Sequence, residues 1–249
     1  MEKIKLPNGL ECYSLSQRET EYIYSEVFSE QQYVQNNIVV HEGDCIFDVG
    51  ANIGLFVLFI NQLQKNLKVF AFEPIEPVFA VLTDNIHLHN LTDVSLFNYG
   101  LSSENDPERV FMFYPNMPGN STDKPQDKMA QRDLMINAIG QEQTDYFFQS
   151  TQIVGEVRTL SRVIKDLSID SIDLLKIDVE GEELAVIQGI ESNDWTKIKQ
   201  IVAEVHDIDN RLEQFQFILQ NYGFEVKTEK NPLLPAGSDN FNVYAARRY

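Results

Sequence analysis

Cysteine is nearly missing from this chain: Cys12 and Cys45 are the only two in 249 residues. Two thiols build neither a disulfide framework nor a four-ligand zinc site, and such usage suits a reducing cytoplasm, the expected location. No run of about twenty apolar residues occurs, which excludes a helical membrane span, and no membrane partner is expected. The opening residues, Met1-Glu2-Lys3-Ile4-Lys5-Leu6-Pro7, lack the apolar stretch of a secretion signal, so none is expected. Basic residues are scarce too. Twenty Lys and Arg stand against 38 Asp and Glu, giving a formal charge of −18 and a pI near 4.5. That field repels polyanions, so no nucleic-acid partner is expected. Repeats and low-complexity linkers are also absent.

What the chain does have is apolar periodicity that switches between two and about 3.6 residues. Pro7-Asn8-Gly9 between short alternating runs predicts an N-terminal hairpin, and Ile23, Val27 and Val34 predict a helix over 17–34. Strands follow at Cys45–Val49, Val69–Phe72, Val94–Phe97, Ile172–Ile177 and Ile201–Val205, with helical spacing between them. Phe224–Val226 and Phe241–Ala245 close the sheet without an intervening helix, so one of them is expected to run antiparallel. The pattern predicts an α/β fold with a seven-stranded, mostly parallel sheet covered by helices on both faces. The whole of 1–249 is expected to form one domain. Residues 1–40 would be an N-terminal hairpin and helix, and 102–156 an irregular insertion on the substrate side with a helix near Leu134–Phe148.

The first strand-to-helix turn carries the sharpest chemical signal. Asp48, then Gly50-Ala51-Asn52-Ile53-Gly54, then a helix, lets backbone approach a ligand closely. At the end of the next strand Glu73 stands where an acid grips ribose hydroxyls. The turn lacks the Gly-x-Gly-x-x-Gly spacing of a dinucleotide site, and no Gly-Lys-Ser/Thr follows it. Asp48 would repel a diphosphate and suit a ligand with an amino group and a sulfonium, which points to S-adenosyl-L-methionine. The competing reading is that Gly50 and Gly54 only permit close packing.

Phe47-Asp48-Val49-Gly50-Ala51-Asn52-Ile53-Gly54, Phe72-Glu73-Pro74, Leu175-Lys176-Ile177-Asp178-Val179-Glu180-Gly181-Glu182-Glu183 and Ala203-Glu204-Val205-His206 resemble, in order, the FkbM-type S-adenosyl-L-methionine-dependent methyltransferases. Glu19-Thr20-x-Tyr22-x-Tyr24-x-Glu26-Val27-Phe28 is similar to members acting in polyketide and nonribosomal peptide pathways. The resemblance implies a class I methyltransferase fold with O-methylation of a small-molecule or carrier-protein-bound substrate. N- or C-methylation on the same scaffold and a non-catalytic cofactor-binding protein are the alternatives.

Ligands in open α/β sheets lie beyond the carboxyl ends of the strands, where Asp178, Glu180 and His206 fall. His206 is the first candidate for a general base, its competing role being a structural histidine. Asp178 would orient the cofactor amino group or the substrate hydroxyl. Glu180 is either catalytic or a helix-start residue, and Glu182 and Glu183 are expected to be first-turn surface acids. Asn98 and Tyr99 would either touch adenine or pack at a strand end. Asn116–Thr122 is expected to face the acceptor. Asp178, Glu180, Glu204 and His206 are compatible with Mg²⁺, but at most a loose site follows. Lys176, on the same strand face as Asp178, offers the carboxylates a counter-ion instead, so no metal is expected.

Overall fold

The computed structural model describes residues 1–234 and 238–247. Strands β1 (Glu2–Lys5) and β2 (Glu11–Ser14) form the expected antiparallel hairpin. Helix α1 (Gln17–Tyr24) starts at Ser16, whose hydroxyl accepts the Glu19 N–H, and stops ten residues short of the expected end. It passes into a π-helical turn over Ser25–Ser29, then a 3₁₀ turn over Gln32–Val34 after Gln31 at φ +50°. Burial outweighs helical continuity here: Gln32 and Tyr33 are drawn inward, and Tyr33 reaches the sheet.

The sheet begins with β3 (Cys45–Val49), followed by α2 (Leu55–Leu63), β4 (Lys68–Phe72), α3 (Glu76–Leu88) and β5 (Val94–Phe97). Next come β6 (Gly100–Leu101), β7 (Asp106–Phe113), α4 (Met129–Ile139), α5 (Gln141–Phe147) and β8 (Thr151–Arg158). The chain re-enters the main sheet through α6 (Leu160–Asp166), β9 (Leu174–Ile177), α7 (Glu183–Gln188), β10 (Gln200–His206), α8 (Arg211–Asn221), β11 (Phe224–Lys230) and β12 (Asn240–Arg247). The seven strands lie in the order β11-β12-β10-β9-β3-β4-β5, with β12 antiparallel to both neighbours and the others paired in parallel.

Side-chain alternation sorts the core. Phe47, Val49, Phe70 and Phe72 point to the face covered by α6, α7 and α8, whereas Ile46, Val69 and Ala71 point to α2 and α3. Between β3 and β9 the chain reverses its direction of travel across the sheet, so a crevice opens beyond the tips of these strands.

The insertion is more ordered than expected. Residues 102–156 are not irregular: β7 and β8 pair antiparallel, and with β6 they form a second, three-stranded sheet. Its Phe111, Phe113 and Val157 pack with Leu6 and Cys12 of the hairpin, with Ile53 and Leu58 around α2, and with Val78 of α3. Acidic and basic residues along Asp106–Arg109 and a register shift there hide the strand's alternation in the sequence.

Candidate active site

Strand β3 hands over to α2 through three left-handed residues, Gly50 (φ +78°), Asn52 (φ +49°) and Gly54 (φ +91°). A Cβ on Gly50 would stand 1.8 Å from the Asp178 carbonyl oxygen, and one on Gly54 2.7 Å from Leu82 Cδ1. The space freed at Gly50 is therefore taken up by the backbone after β9.

Asp48 is placed differently from expectation. It does not face the cavity: it is fully buried beneath the turn, with Lys176 Nζ 3.0 Å from its Oδ1. Lys176 also donates to the Gly50 carbonyl at 2.7 Å and lies 3.8 Å from Asp178. Burial alone would lower its pKa, but Asp48 and Asp178 together raise it, so the ammonium stays charged. Asp48 thus anchors a lysine, and the lysine anchors the turn.

Glu73, at the tip of β4, does line the cavity. Its Oε2 accepts the Asn52 N–H at 3.0 Å and its Oε1 the Ile75 N–H at 2.9 Å. Burial pushes its carboxyl up to about 7 against those two bonds. Asn98 and Tyr99 lie outside the cavity wall. The Asn98 amide donates to the Glu73 carbonyl at 2.9 Å, and the Tyr99 ring packs in the core against Phe72 and Phe97 under the Arg158 guanidinium. Gly100, Leu101 and Ser102 take the wall position, because the chain has already turned to form β6.

Beyond β9 and β10 the charges interlock. Asp178 Oδ2 accepts the Tyr33 hydroxyl at 2.8 Å. Glu180, at φ +56°, pairs with Lys128 and lies 3.4 Å from His206 Nε2. Burial would raise the Glu180 carboxyl, but Lys128 and His206 hold it at about 2. His206 Nδ1 sits 3.1 Å from Glu183 Oε1. Burial would lower the imidazole, yet Glu183 and Glu180 lift it to about 10. Carboxylates near both nitrogens favour the imidazolium form, and the Asn240 amide nitrogen also lies 3.2 Å from Nε2.

Glu182 and Glu183 are not the surface acids expected. Glu183 is fully buried and accepts the Gly181 N–H at 2.8 Å, while Glu182 accepts the Ser102 hydroxyl at 3.1 Å and pairs with Lys124. The insertion covers them: Thr122 donates to the Glu180 carbonyl at 3.0 Å, and Asp127 meets Arg211 at 2.6 Å.

Asp178, Glu180, Glu182 and His206 border a cavity of about 650 Å³. Its walls include the Asn116–Thr122 loop and the apolar side chains of Phe111, Leu134, Met135 and Phe147. Three carboxyls that the sequence reading left without a catalytic role also line it. Glu19 accepts the Gly119 N–H at 2.7 Å and is pushed up to about 7 by burial. Glu26, on the π-helical turn, accepts the Asn231 amide at 3.1 Å and is raised to about 8 by burial, Glu204 and Asp178. Glu204 accepts the Asn240 amide at 2.9 Å and is raised to about 7 by burial and Asp178. Glu19, Tyr22 and Glu26 recur at helical spacing, which was the available signal. Among the described residues no three His, Cys, Asp or Glu side chains are arranged to hold a metal ion, and no helix is long and apolar enough to cross a membrane.

A mostly parallel sheet with its acid-lined cavity at the strand tips, and Glu73 beside the glycine-bearing turn, define a class I S-adenosyl-L-methionine-dependent methyltransferase. The methyltransferase FkbM domain pattern matches residues 48–226. The chain is 37% identical to 31-O-demethyl-FK506 methyltransferase FkbM of Streptomyces tacrolimicus over 257 residues, covering 100% of this chain and 97% of that one. It is 32% identical to Methyltransferase sdnD of Sordaria araneosa over 249 residues, covering 96% and 94%. The solved structure of Methyltransferase FkbM from Methylobacillus flagellatus KT shares the fold at a TM-score of 0.55 and 13% identity, over 86% of this chain and 47% of that one. The chain belongs to the FkbM methyltransferase family.

The residues present suit the cofactor. Ten carboxyl side chains on the cavity wall, Glu19, Glu26, Glu73, Asp123, Asp127, Asp178, Glu180, Glu182, Glu204 and Asp239, outnumber the cations Arg18, Lys128, Lys176 and His206. That excess favours a ligand carrying positive charge and disfavours a diphosphate.

Proposed function

We propose that this methyltransferase O-methylates a hydroxyl of a small, largely apolar molecule of specialised metabolism, free or bound to a carrier protein, with residues 1–249 acting as one unit. The observation that carries the reading is a single cavity lined both by acids at the strand tips and by the apolar side chains of Phe111, Leu134, Met135 and Phe147. The substrate of the Streptomyces relative, named as an O-demethyl compound, supports oxygen as the acceptor.

Glu73 would hold the ribose hydroxyls with Asn52 beside it, and Asp178 the cationic end of the cofactor. Gly50 and Gly54 shape the turn, and Asp48 acts through Lys176. When bound, S-adenosyl-L-methionine supplies a methyl group made electrophilic by its sulfonium. The His206 imidazolium, fixed by Glu183 and Glu180, places positive charge at the tip of β10, where it would stabilise an oxygen losing its proton. Positioning the acceptor within about 3–3.5 Å of the methyl carbon supplies much of the remaining rate.

The test is transfer of a ¹³C-labelled methyl group to a panel of apolar alcohols and matched amines that includes 31-O-demethyl-FK506. Methyl carbons attached to oxygen, read by NMR, are the expected products. Products methylated only at nitrogen or carbon would overturn the reading. Calorimetric binding of S-adenosylhomocysteine without any transfer would favour a non-catalytic protein.

A further inference from the structure

We propose that Glu204 is the catalytic base that takes the proton from the methyl-accepting hydroxyl; this rests on the O-methylation reading and adds a residue to its machinery. The neighbouring candidates are each compensated. Asp178 accepts the Tyr33 hydroxyl and has Lys176 at 3.8 Å. Glu180 lies between Lys128 and His206. Glu26 accepts both the Asn231 amide and the Tyr22 hydroxyl. His206 has a carboxylate at each ring nitrogen.

Glu204 differs in kind. Its Oε1 accepts one neutral donor, the Asn240 amide at 2.9 Å, and among the described residues Oε2 has neither a hydrogen-bond donor nor an ion-pair partner. The residue is only 8% exposed and lines the cavity. It stands two residues before His206 on the same strand, so both side chains leave β10 on one face. A carboxylate oxygen with a free lone pair and no cation on it can take up a proton from a hydroxyl at these strand tips.

The groups around it fix its proton affinity. Glu26, Tyr22 and Tyr33 face it from the N-terminal segment, Asp178 and Glu180 from the turn after β9, His206 from its own strand, and Asn240 and Tyr244 from β12. Burial and the like charge of Asp178 push the carboxyl up, His206 and Asn240 pull it down, and the balance stands at about 7. A base of that strength suits proton abstraction at neutral pH.

The step balances as follows. The acceptor O–H bond breaks and its proton passes to Glu204 Oε2. The oxygen electron pair forms the new bond to the methyl carbon, and the carbon–sulfur bond of the donor breaks with its pair remaining on sulfur. Glu204 then returns the proton to solvent.

The test is Glu204→Gln, which keeps an oxygen for the Asn240 amide, with Glu204→Asp as the conservative variant. With an acceptor identified as above, E204Q should lose ~10²- to 10⁴-fold in kcat. The acceptor KM and the calorimetric affinity for S-adenosylhomocysteine should stay unchanged, and the acid limb of the kcat profile near neutrality should disappear. E204D should recover part of the rate with the limb restored. An E204Q enzyme with wild-type kcat and acid limb overturns the assignment, as does loss of S-adenosylhomocysteine binding in parallel with the rate. If no acceptor on the panel is methylated, the O-methylation reading falls on its own, and infrared titration judges Glu204 separately. A carboxyl band absent from E204Q and titrating near neutrality upholds the base; a Glu204 ionised throughout the range from about pH 5 to 9 overturns it.

Discussion

Replacing Gly50 by alanine tests whether the turn is shaped chiefly by the protein's own packing. The left-handed backbone at φ +78° costs a non-glycine residue about 1–2 kcal/mol. The added Cβ would lie 1.8 Å from the Asp178 carbonyl oxygen, about half an ordinary contact distance, so β3 and the end of β9 must part. That movement strains the 3.0 Å bond from Asp178 N–H to the Val49 carbonyl and the 2.7 Å bond from Lys176 to the Gly50 carbonyl. Each such bond contributes roughly 0.5–1.5 kcal/mol, and more where the donor is charged. The sum is about 3–5 kcal/mol, or roughly 10 °C in Tm for a chain of this length. Gly54→Ala has a similar backbone cost, but its Cβ meets only the end of the Leu82 side chain at 2.7 Å, which can rotate away. It should lose about 1–2 kcal/mol. Scanning calorimetry of both variants, paired with S-adenosylhomocysteine titration, decides the point. The argument fails if Gly50→Ala melts within about 2 °C of the wild type, or no lower than Gly54→Ala.

The buried Lys176–Asp48 pair should be intolerant of half-removal. Lys176→Met leaves Asp48 uncompensated and should cost about 3–5 kcal/mol in urea unfolding, while adding Asp48→Asn should return much of it; a single variant as stable as the double would sink the pairing. Glu73→Gln replaces one acceptor oxygen with a donor facing a backbone N–H. Calorimetry should show S-adenosylhomocysteine affinity falling by at least about tenfold, and an unchanged affinity would remove Glu73 from the cofactor site. His206 carries a pH signature: its pKa is raised from 6.5 to about 10 by Glu183 and Glu180, against its burial. Its stabilising contribution is complete below 6.5 and disappears as pH rises through about 10. The stability gap between wild type and His206→Gln should therefore narrow across that window in urea titrations, and a gap independent of pH would refute the imidazolium.

The sheet was legible because its signals are local. Five short apolar strands, each followed by a turn or a helical pattern, prescribe parallel pairing, and the absence of a helix between the last two strands prescribes the antiparallel partner. The positions of Glu73, Asp178, Glu180 and His206 at the tips followed from the same periodicity. The insertion was less legible. Its two long strands pair with each other across a 37-residue separation between Phe113 and Thr151, and no local pattern specifies so distant a partner. The early end of α1 has a similar origin, since the burial of Gln32 and Tyr33 depends on a sheet formed later in the chain.

The chemistry of the tips turns on where positive charge falls, and that was the least legible feature. Asp48, Asp178 and Glu180 look alike in sequence as acids ending strands. Lys176, from within β9, leaves Asp48 a structural counter-ion, and Lys128, delivered by the insertion, holds Glu180 ionised together with His206. Glu183 supplies the second carboxylate that keeps His206 charged. The carboxyls without a cation, Glu26 and Glu204, are the ones pushed toward neutral pKa values. A histidine at a strand tip suggests a base when read alone; two neighbouring carboxylates favour its charged form instead. Proton acceptance is thereby left to an acid whose sequence context, Ala203-Glu204-Val205, reads as ordinary strand.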